Sequence, residues 1–422
     1  GTGAAGPYVH VYEDKDGIAI GTFSLVITPP PSGSTKVVIE STGRVYEDAA
    51  IERIIRVTLA KPSFAKWAVV ANDTMRFGEG TQTYGAVHSN GGIRFDGVAH
   101  NVVSSALTSY DDPDHNDHSL EFGVHTHVKA PPASGTQTSG LAAEAYPGTA
   151  PVRTDVFMVG RSFPVPAVDF VGISADLSAM KTLAQAGGRY YNPSGGLGYH
   201  IVLKTNDTFD LYRINNLQAS PSGGCKNSTT DPQEGWGIWS IRSTSGSQTL
   251  LGNYSFPANG ILFFDDNIWV DGTINTARLT IAAGRFPETE ATWRNITINS
   301  DLRYTNYNGT DAIGLITQNN INVGLYSEDD LRIDGALIAQ YGRVGRYYYS
   351  SSCGSNADRD VLTLYGMIAT NERYGFAYTN GSGSSEGYQL RYLNYDTNLL
   401  YGPPPSFPLT SDSYVTLLWE EL

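Results

Sequence analysis

Ile268-Trp269-Val270-Asp271-Gly272 is echoed by Leu331-Arg332-Ile333-Asp334-Gly335 and by Ile93-Arg94-Phe95-Asp96-Gly97. Leu362-Thr363-Leu364-Tyr365-Gly366 keeps the pattern without the Asp. Each is a strand-like triplet closed by a turn, where Gly can supply a positive φ. A strand-and-turn unit that recurs along a chain predicts stacked strands, each turn burying its apolar side chains against the next. Between residues 259 and 369 the unit starts at Ile268, Leu302, Leu331 and Leu362, separated by 34, 29 and 31 positions. Apolar runs precede it at 261–264, 296–298 and 321–323, and follow it at 279–282, 313–317 and 337–339. Three short strands per turn, joined by polar or Gly-containing corners, predict an all-β fold: a right-handed three-sided parallel β-helix. A second register stays open, because Asn267-Ile268-Trp269-Val270 also matches Asn320-Ile321-Asn322-Val323. A sandwich or propeller shares the regular spacing, but Asp-Gly corners suit a coil better than hairpin turns.

Outward from the repeat, four regions are expected. Residues 1–74 read as a small N-terminal antiparallel β region, with strands at 21–28, 36–41, 53–59 and 67–70 broken by Pro29, Pro30 and Pro31. It would cap the coil, whose end turns otherwise expose unpaired strand edges. Residues 75–107 hold the first β-helix strands. Residues 108–256 lose the repeat and form a mixed insertion: an acidic, His-rich loop, a helix over 174–187, and a hairpin pairing 199–203 with 209–214. In the helix Ser174 is the expected N-cap, Leu177, Met180, Leu183 and Ala184 share a face, and Gly187 ends it. Residues 257–422 carry the main coil and a C-terminal cap with a last strand at 414–419.

Bulk composition narrows the function classes. The 422 residues include 46 Gly and 26 Tyr with only 17% charged residues, a turn-rich and aromatic-rich β composition. A formal charge of −14 leaves no basic stripe to neutralise phosphates, so no nucleic-acid partner is expected. The same charge opposes electrostatic docking on an anionic membrane. No apolar run reaches the length of a membrane span. The two cysteines, Cys225 and Cys353, lie in Ser/Gly-rich surroundings. One disulfide closing a long loop and two free thiols both fit.

Several segments resemble one family. Ser41-Thr42-Gly43-Arg44-Val45, then 53–59 and the aromatic Phe64 and Trp67, are similar to the region just after the membrane helix of PilX-like pilus-assembly proteins. Asn90-Gly91-Gly92-Ile93, Val270-Asp271-Gly272-Thr273-Ile274 and the ending Leu417-Leu418-Trp419-Glu420-Glu421 resemble the same family. Its large, β-helix-bearing versions are common in small-genome bacteria of the candidate phyla. The resemblance implies an extracellular, bacterial cell-surface protein of type IV pilus machinery, a minor-pilin-like structural subunit in filament assembly or adhesion. Its implied partners are pilus subunits or other surface proteins. Membrane contact would come only through a pilin-like helix absent from this chain, which starts at Gly1. The resemblance implies no catalytic residues and no required cofactor.

Three constellations could carry chemistry. Asp111-Asp112-Pro113-Asp114-His115-Asn116-Asp117-His118, then Glu121 and His125-Thr126-His127, gathers four of the chain's eight histidines. Imidazole with carboxylate suits zinc, and carboxylate with Asn oxygen suits calcium. His125 and His127 would point to one side of a strand. Asp114, His115, His118, His125 and His127 are therefore the candidate ligands of a divalent ion, against the alternative of a solvated loop. Next, Asp265-Asp266 and Glu328-Asp329-Asp330 could align as an acidic corner, as in polysaccharide-acting β-helix enzymes, or simply stabilise turns. Last, Tyr347, Tyr348, Tyr349, Tyr374, Phe376, Tyr378, Tyr388, Tyr392, Tyr395 and Tyr401 could face a glycan or host-surface ligand, or pack loops onto the coil. A self-assembling surface fibre or layer is a further alternative.

Overall fold

The computed structural model describes residues 6–30, 34–48, 50–115, 118–219, 221, 225, 240–379, 384–410 and 413–422. The protein is mostly β, with parallel and antiparallel pairing.

Three ladders of parallel strands run through the body. The first takes Arg189–Tyr191, Ile261–Phe264, Arg278–Ala283 and Ala312–Thr317, then the second halves of Asp330–Ala339 and Asp358–Thr370. It continues into Val69–Ala71, Val87–Ser89, Val103–Ser105 and Arg161–Ser162. The second aligns Gly198–Leu203, Ile268–Ile274, Ile296–Thr297, Ile321–Val323 and Val344–Arg346. Met75–Phe77, Ile93–Phe95 and Val124–His125 stack likewise. The third joins residues 272–274 to Leu302–Tyr304, to the first halves of Asp330–Ala339 and Asp358–Thr370, and to Ser384–Tyr395, Thr81–Tyr84 and Val98–Ala99.

The order of rungs is not the order of the chain. The segment 69–105 stacks beyond 367–395, and residues 189–203 stack beneath 261–272. The chain thus enters the stack in its middle, runs to one end near residue 162, crosses back, and returns from the other end. The helix Val171–Gly187 makes part of that crossing, lying on the outer side of the first ladder. It starts before the expected Ser174. Leu177, Met180 and Ala184 are buried, whereas Leu183 faces solvent at 42% exposure, so the packed face is narrower than its sequence suggests.

Inward rows hold the stack together. Leu262, Ile281, Leu315, Leu337, Ile368 and Val69 face one another along the first ladder and are fully buried. Each such side chain contributes about 1.5–3 kcal/mol relative to full exposure. The second register of the sequence is the one formed here: Ile268 aligns with Ile296, Ile321 and Val344, while Leu331 aligns with Leu362 on the third ladder. At the first corner the Asn267 side-chain oxygen accepts from Asn295 N–H (2.9 Å), Asn295 from Asn320 (3.1 Å) and Asn320 from Arg343 (2.8 Å). These bonds satisfy corner N–H groups that no ladder reaches. Gly335 and Gly366 stack where strands bend from the third ladder into the first. A Cβ on Gly366 (φ +152°) would lie 1.9 Å from the Gly335 carbonyl oxygen, so only Gly fits.

Tyr8–Glu13, Ala19–Thr28, Val37–Val45 and Glu52–Ala60 form a separate antiparallel sheet whose fifth strand is the C-terminal Val415–Glu421. It does not cap the stack, because the chain leaving it enters the first ladder at Val69–Ala71, mid-stack. The expected strand at 67–70 belongs to that ladder.

Candidate metal centre

The His-rich loop folds against one end of the stack. Leu120–Phe122 pairs antiparallel with Ser109–Asp111, and Val124–His125 then runs parallel to Ile93–Arg94 as the last strand of its ladder. Asp96, from one of the repeated Asp-Gly turns, accepts from the His127 N–H (2.8 Å) and from the Thr126 hydroxyl (3.4 Å). The short strand and this anchor set His125 and His127 on one side, their ring centres 5.1 Å apart.

His115, Glu121, His125 and His127 converge there with Asp112, all with 7% or less of their surface exposed. Asp112, His115, Glu121 and His127 each offer an atom within 4.8 Å of the others. Glu121 Oε2 lies 3.1 Å from His115 Nε2 and 2.6 Å from His125 Nε2, and Glu121 Oε1 lies 3.2 Å from His127 Nε2. Asp112 Oδ2 lies 3.4 Å from His125 Nε2 and 3.9 Å from His127 Nε2. The short His125–Glu121 approach lacks hydrogen-bond alignment, and among the described residues neither ring nitrogen of His125 makes a hydrogen bond. His127 Nδ1 lies 3.2 Å from the Gln137 carbonyl oxygen and Nε2 lies 3.2 Å from Glu121 Oε1, so the backbone orients the ring with Nε2 facing the carboxylates.

Electrostatics follow from this crowding. Burial alone would raise the carboxyls of Asp112 and Glu121, but the neighbouring imidazoles outweigh it and hold both well below the ordinary range. Burial opposes charge on His125, yet Asp112 and Glu121 raise its pKa. Burial, then the same two carboxylates, push the Tyr110 hydroxyl well up.

Of the five residues expected as ligands, His115, His125 and His127 come together and two lie elsewhere. Asp114 turns to Arg76 (3.4 Å) and Arg373. His118 is exposed and pairs with Asp111 at 3.0 Å. Asp112 and Glu121 take the carboxylate places. Glu121 precedes His125 and His127 by four and six residues, the same even step that relates the two histidines, and this spacing could have singled it out. Nothing in the loop composition distinguishes Asp112 from its neighbours.

The other candidates disperse. Asp265 bonds Lys181 and Tyr190 under the helix, and Asp266 accepts from Ser194. Those two lie between the first and second ladders, whereas Glu328, Asp329 and Asp330 lie between the second and third, so the two acidic groups do not stack. Tyr347, Tyr349, Tyr374, Phe376 and Tyr388 are buried, and Tyr348, Tyr378, Tyr392, Tyr395 and Tyr401 are half-buried, fastening loops to the stack. Cys225 and Cys353 form a disulfide.

No protein-family model matches this chain, and no curated protein matches it significantly. Among solved structures, the competence-associated pilin ComZ from Thermus thermophilus is similar at 12% identity and a TM-score of 0.35, covering 98% of this chain and 86% of its own. Among the described residues, no helix is long and apolar enough to cross a membrane.

Proposed function

We propose that this chain is a bacterial cell-surface protein, a pilus-associated and minor-pilin-like subunit that acts in filament assembly or adhesion and performs no catalysis. In this reading the stack is a right-handed three-sided parallel β-helix, a stiff body that carries the loops between its rungs away from the filament.

The observation that carries the reading is the uncovered face of the five-stranded sheet. Cross-strand register puts Phe23, Leu25, Ile27, Ile39, Ile55, Val57, Leu59 and Trp419 on one face. None of these side chains is buried, and none belongs to a buried core cluster. The opposite face carries Glu40, Arg56 and Glu420 in a row, and Arg44 beside Glu52. The first face, bordered at one end by the Arg53–Glu421 pair, is the more apolar of the two, since the other mixes these charges with Val26, Val38, Ile54 and Leu418. Such a face needs a cover. An apolar helix of pilin type has the length and chemistry to supply it, and the segments 41–45, 53–59 and 417–421 that resemble PilX-like proteins all lie in this sheet. The same uncovered face would also suit a second copy of the chain, the basis of a self-assembling fibre.

Mass spectrometry of filaments sheared from the source cells, with the true N-terminus read in the same run, tests the proposal. Recovery in the filaments together with an upstream apolar helix is the expected result. A freely secreted protein that starts at Gly1 and polymerises alone would replace the pilus reading with the fibre.

A further inference from the structure

We propose that Asp112, His115, Glu121 and His127, with His125 beside them, bind one divalent ion of zinc's chemistry, and that this ion fastens the segment closing one end of the parallel stack. The inference is independent of any filament role.

Donor type selects the ion. Three imidazoles and two carboxylates suit zinc and its neighbours, whereas calcium takes oxygen alone. Donor spacing agrees. Ligands about 2.0–2.1 Å from a tetrahedral ion lie about 3.3 Å from one another. The imidazole–carboxylate separations here run from 2.6 to 3.9 Å. Nitrogen and oxygen lone pairs that approach at 2.6 Å without hydrogen-bond alignment, as at His125 and Glu121, are arranged around a shared point rather than towards each other. His127 is already oriented for the task by the Gln137 carbonyl, the usual outer support of a metal-bound imidazole.

Charge balance points the same way. Asp96, Asp112 and Glu121 are buried together, and Arg94 lies 2.6 Å from Asp96 and 3.7 Å from Asp112. Glu144 is buried nearby as well and faces Arg161 and Arg153, so with neutral imidazoles carboxylates outnumber guanidiniums around the site, an excess that a divalent cation offsets. Buried charge of one sign without a partner is strongly unfavourable. The competing account replaces the ion by protonated histidines, and it predicts that no metal binds.

Placement assigns the ion's role. Val124–His125 is the last rung of its ladder, and Arg161–Ser162 the last of the first. An ion here ties the closing segment to itself over this open end. Every proposed donor is buried, and four of them already complete a tetrahedral ion, which assigns it a structural role.

The test uses the full chain without an affinity tag, stripped with chelator, exposed to zinc and then dialysed, with cobalt as a spectroscopic substitute. The expected result is about one zinc per chain, a cobalt spectrum of low coordination number, and zinc-dependent protection of 108–165 from hydrogen exchange, with residues 8–60 unchanged. His127→Gln and Glu121→Gln each lower affinity at least tenfold, while His118→Gln leaves it unchanged. If a variant fails to fold, the stoichiometry and cobalt spectrum of the unaltered chain decide. Less than about a tenth of an equivalent of zinc or cobalt, binding of calcium only, or binding unaffected in the folded variants would overturn the proposal.

Discussion

The five-stranded sheet and the parallel stack are made from similar alternating apolar strands, yet they resist water in opposite ways. In the sheet, neighbours in space are mostly neighbours in sequence, and only Gly21 and Ala60 are buried. In the stack, each strand meets partners from the previous and next turns, and whole rows such as Leu315, Leu337 and Ile368 are fully buried. The stack even encloses charge. Arg346, 1% exposed, donates to the carbonyls of Gly324, Leu325 and Asn356, and Arg391 bonds the carbonyls of Gly78, Glu79, Tyr388 and Gln389 across the junction of late and early chain. Closure, not strand chemistry, separates a self-sufficient core from a face that needs a cover.

The contrast can be broken most directly with two truncations. Ile333→Ala, inside the stack, should cost about 2–5 kcal/mol by denaturant unfolding, because it removes fully buried atoms and leaves a cavity. Leu25→Ala, on the uncovered sheet face, should cost less than about 1 kcal/mol, since its side chain already meets water. Equal costs would mean that the sheet face is packed in solution. Next in size, replacing Cys225 and Cys353 together by Ser should destabilise the stack by about 2–4 kcal/mol, since the bond closes a loop of 128 residues. A midpoint that stays put in guanidinium would remove the crosslink from the account.

A smaller effect depends on pH. Burial opposes charge on His200, but Asp271, 2.8 Å away across two stacked strands, and Gln248 raise its pKa. The protonated form is the one the fold favours, so its contribution is complete below about pH 6.5 and fades as pH rises through the elevated folded value. His200→Gln should therefore cost up to about 1 kcal/mol near pH 6 and less near pH 9; a pH-independent difference would contradict the pairing. Smallest of all is Arg56→Ala in the sheet. Its pairs with Glu40 and Glu420 sit in solvent, and the melting midpoint should not move at low or high salt.

Much of the stack was legible because short strands with closed corners have few other uses. Leu331-Arg332-Ile333-Asp334-Gly335 does lie in register with Leu362-Thr363-Leu364-Tyr365-Gly366. What local pattern could not carry was the order of rungs. A parallel edge at 384–395 accepts any matching strand, and its partner Thr81–Tyr84 comes from some 300 residues earlier. The Asn267, Asn295 and Asn320 corner shows the same limit, since its spacing is uneven and only stacking relates the three. At the metal centre, the histidines stood out by type and by their two-residue step. Asp112 and Asp114 are chemically alike, and the difference lies in the distant Arg373, which draws Asp114 away.

One feature of the fold also fixes where force would travel. Glu52–Ala60 and Val415–Glu421 are adjacent strands of one sheet, so everything between them hangs from the sheet as a closed side loop. Tension drawn across the sheet passes through its cross-strand hydrogen bonds and bypasses the stack. A pulled molecule would strain and finally unzip the small sheet first, while the larger body stays wound and keeps its outer surface in shape.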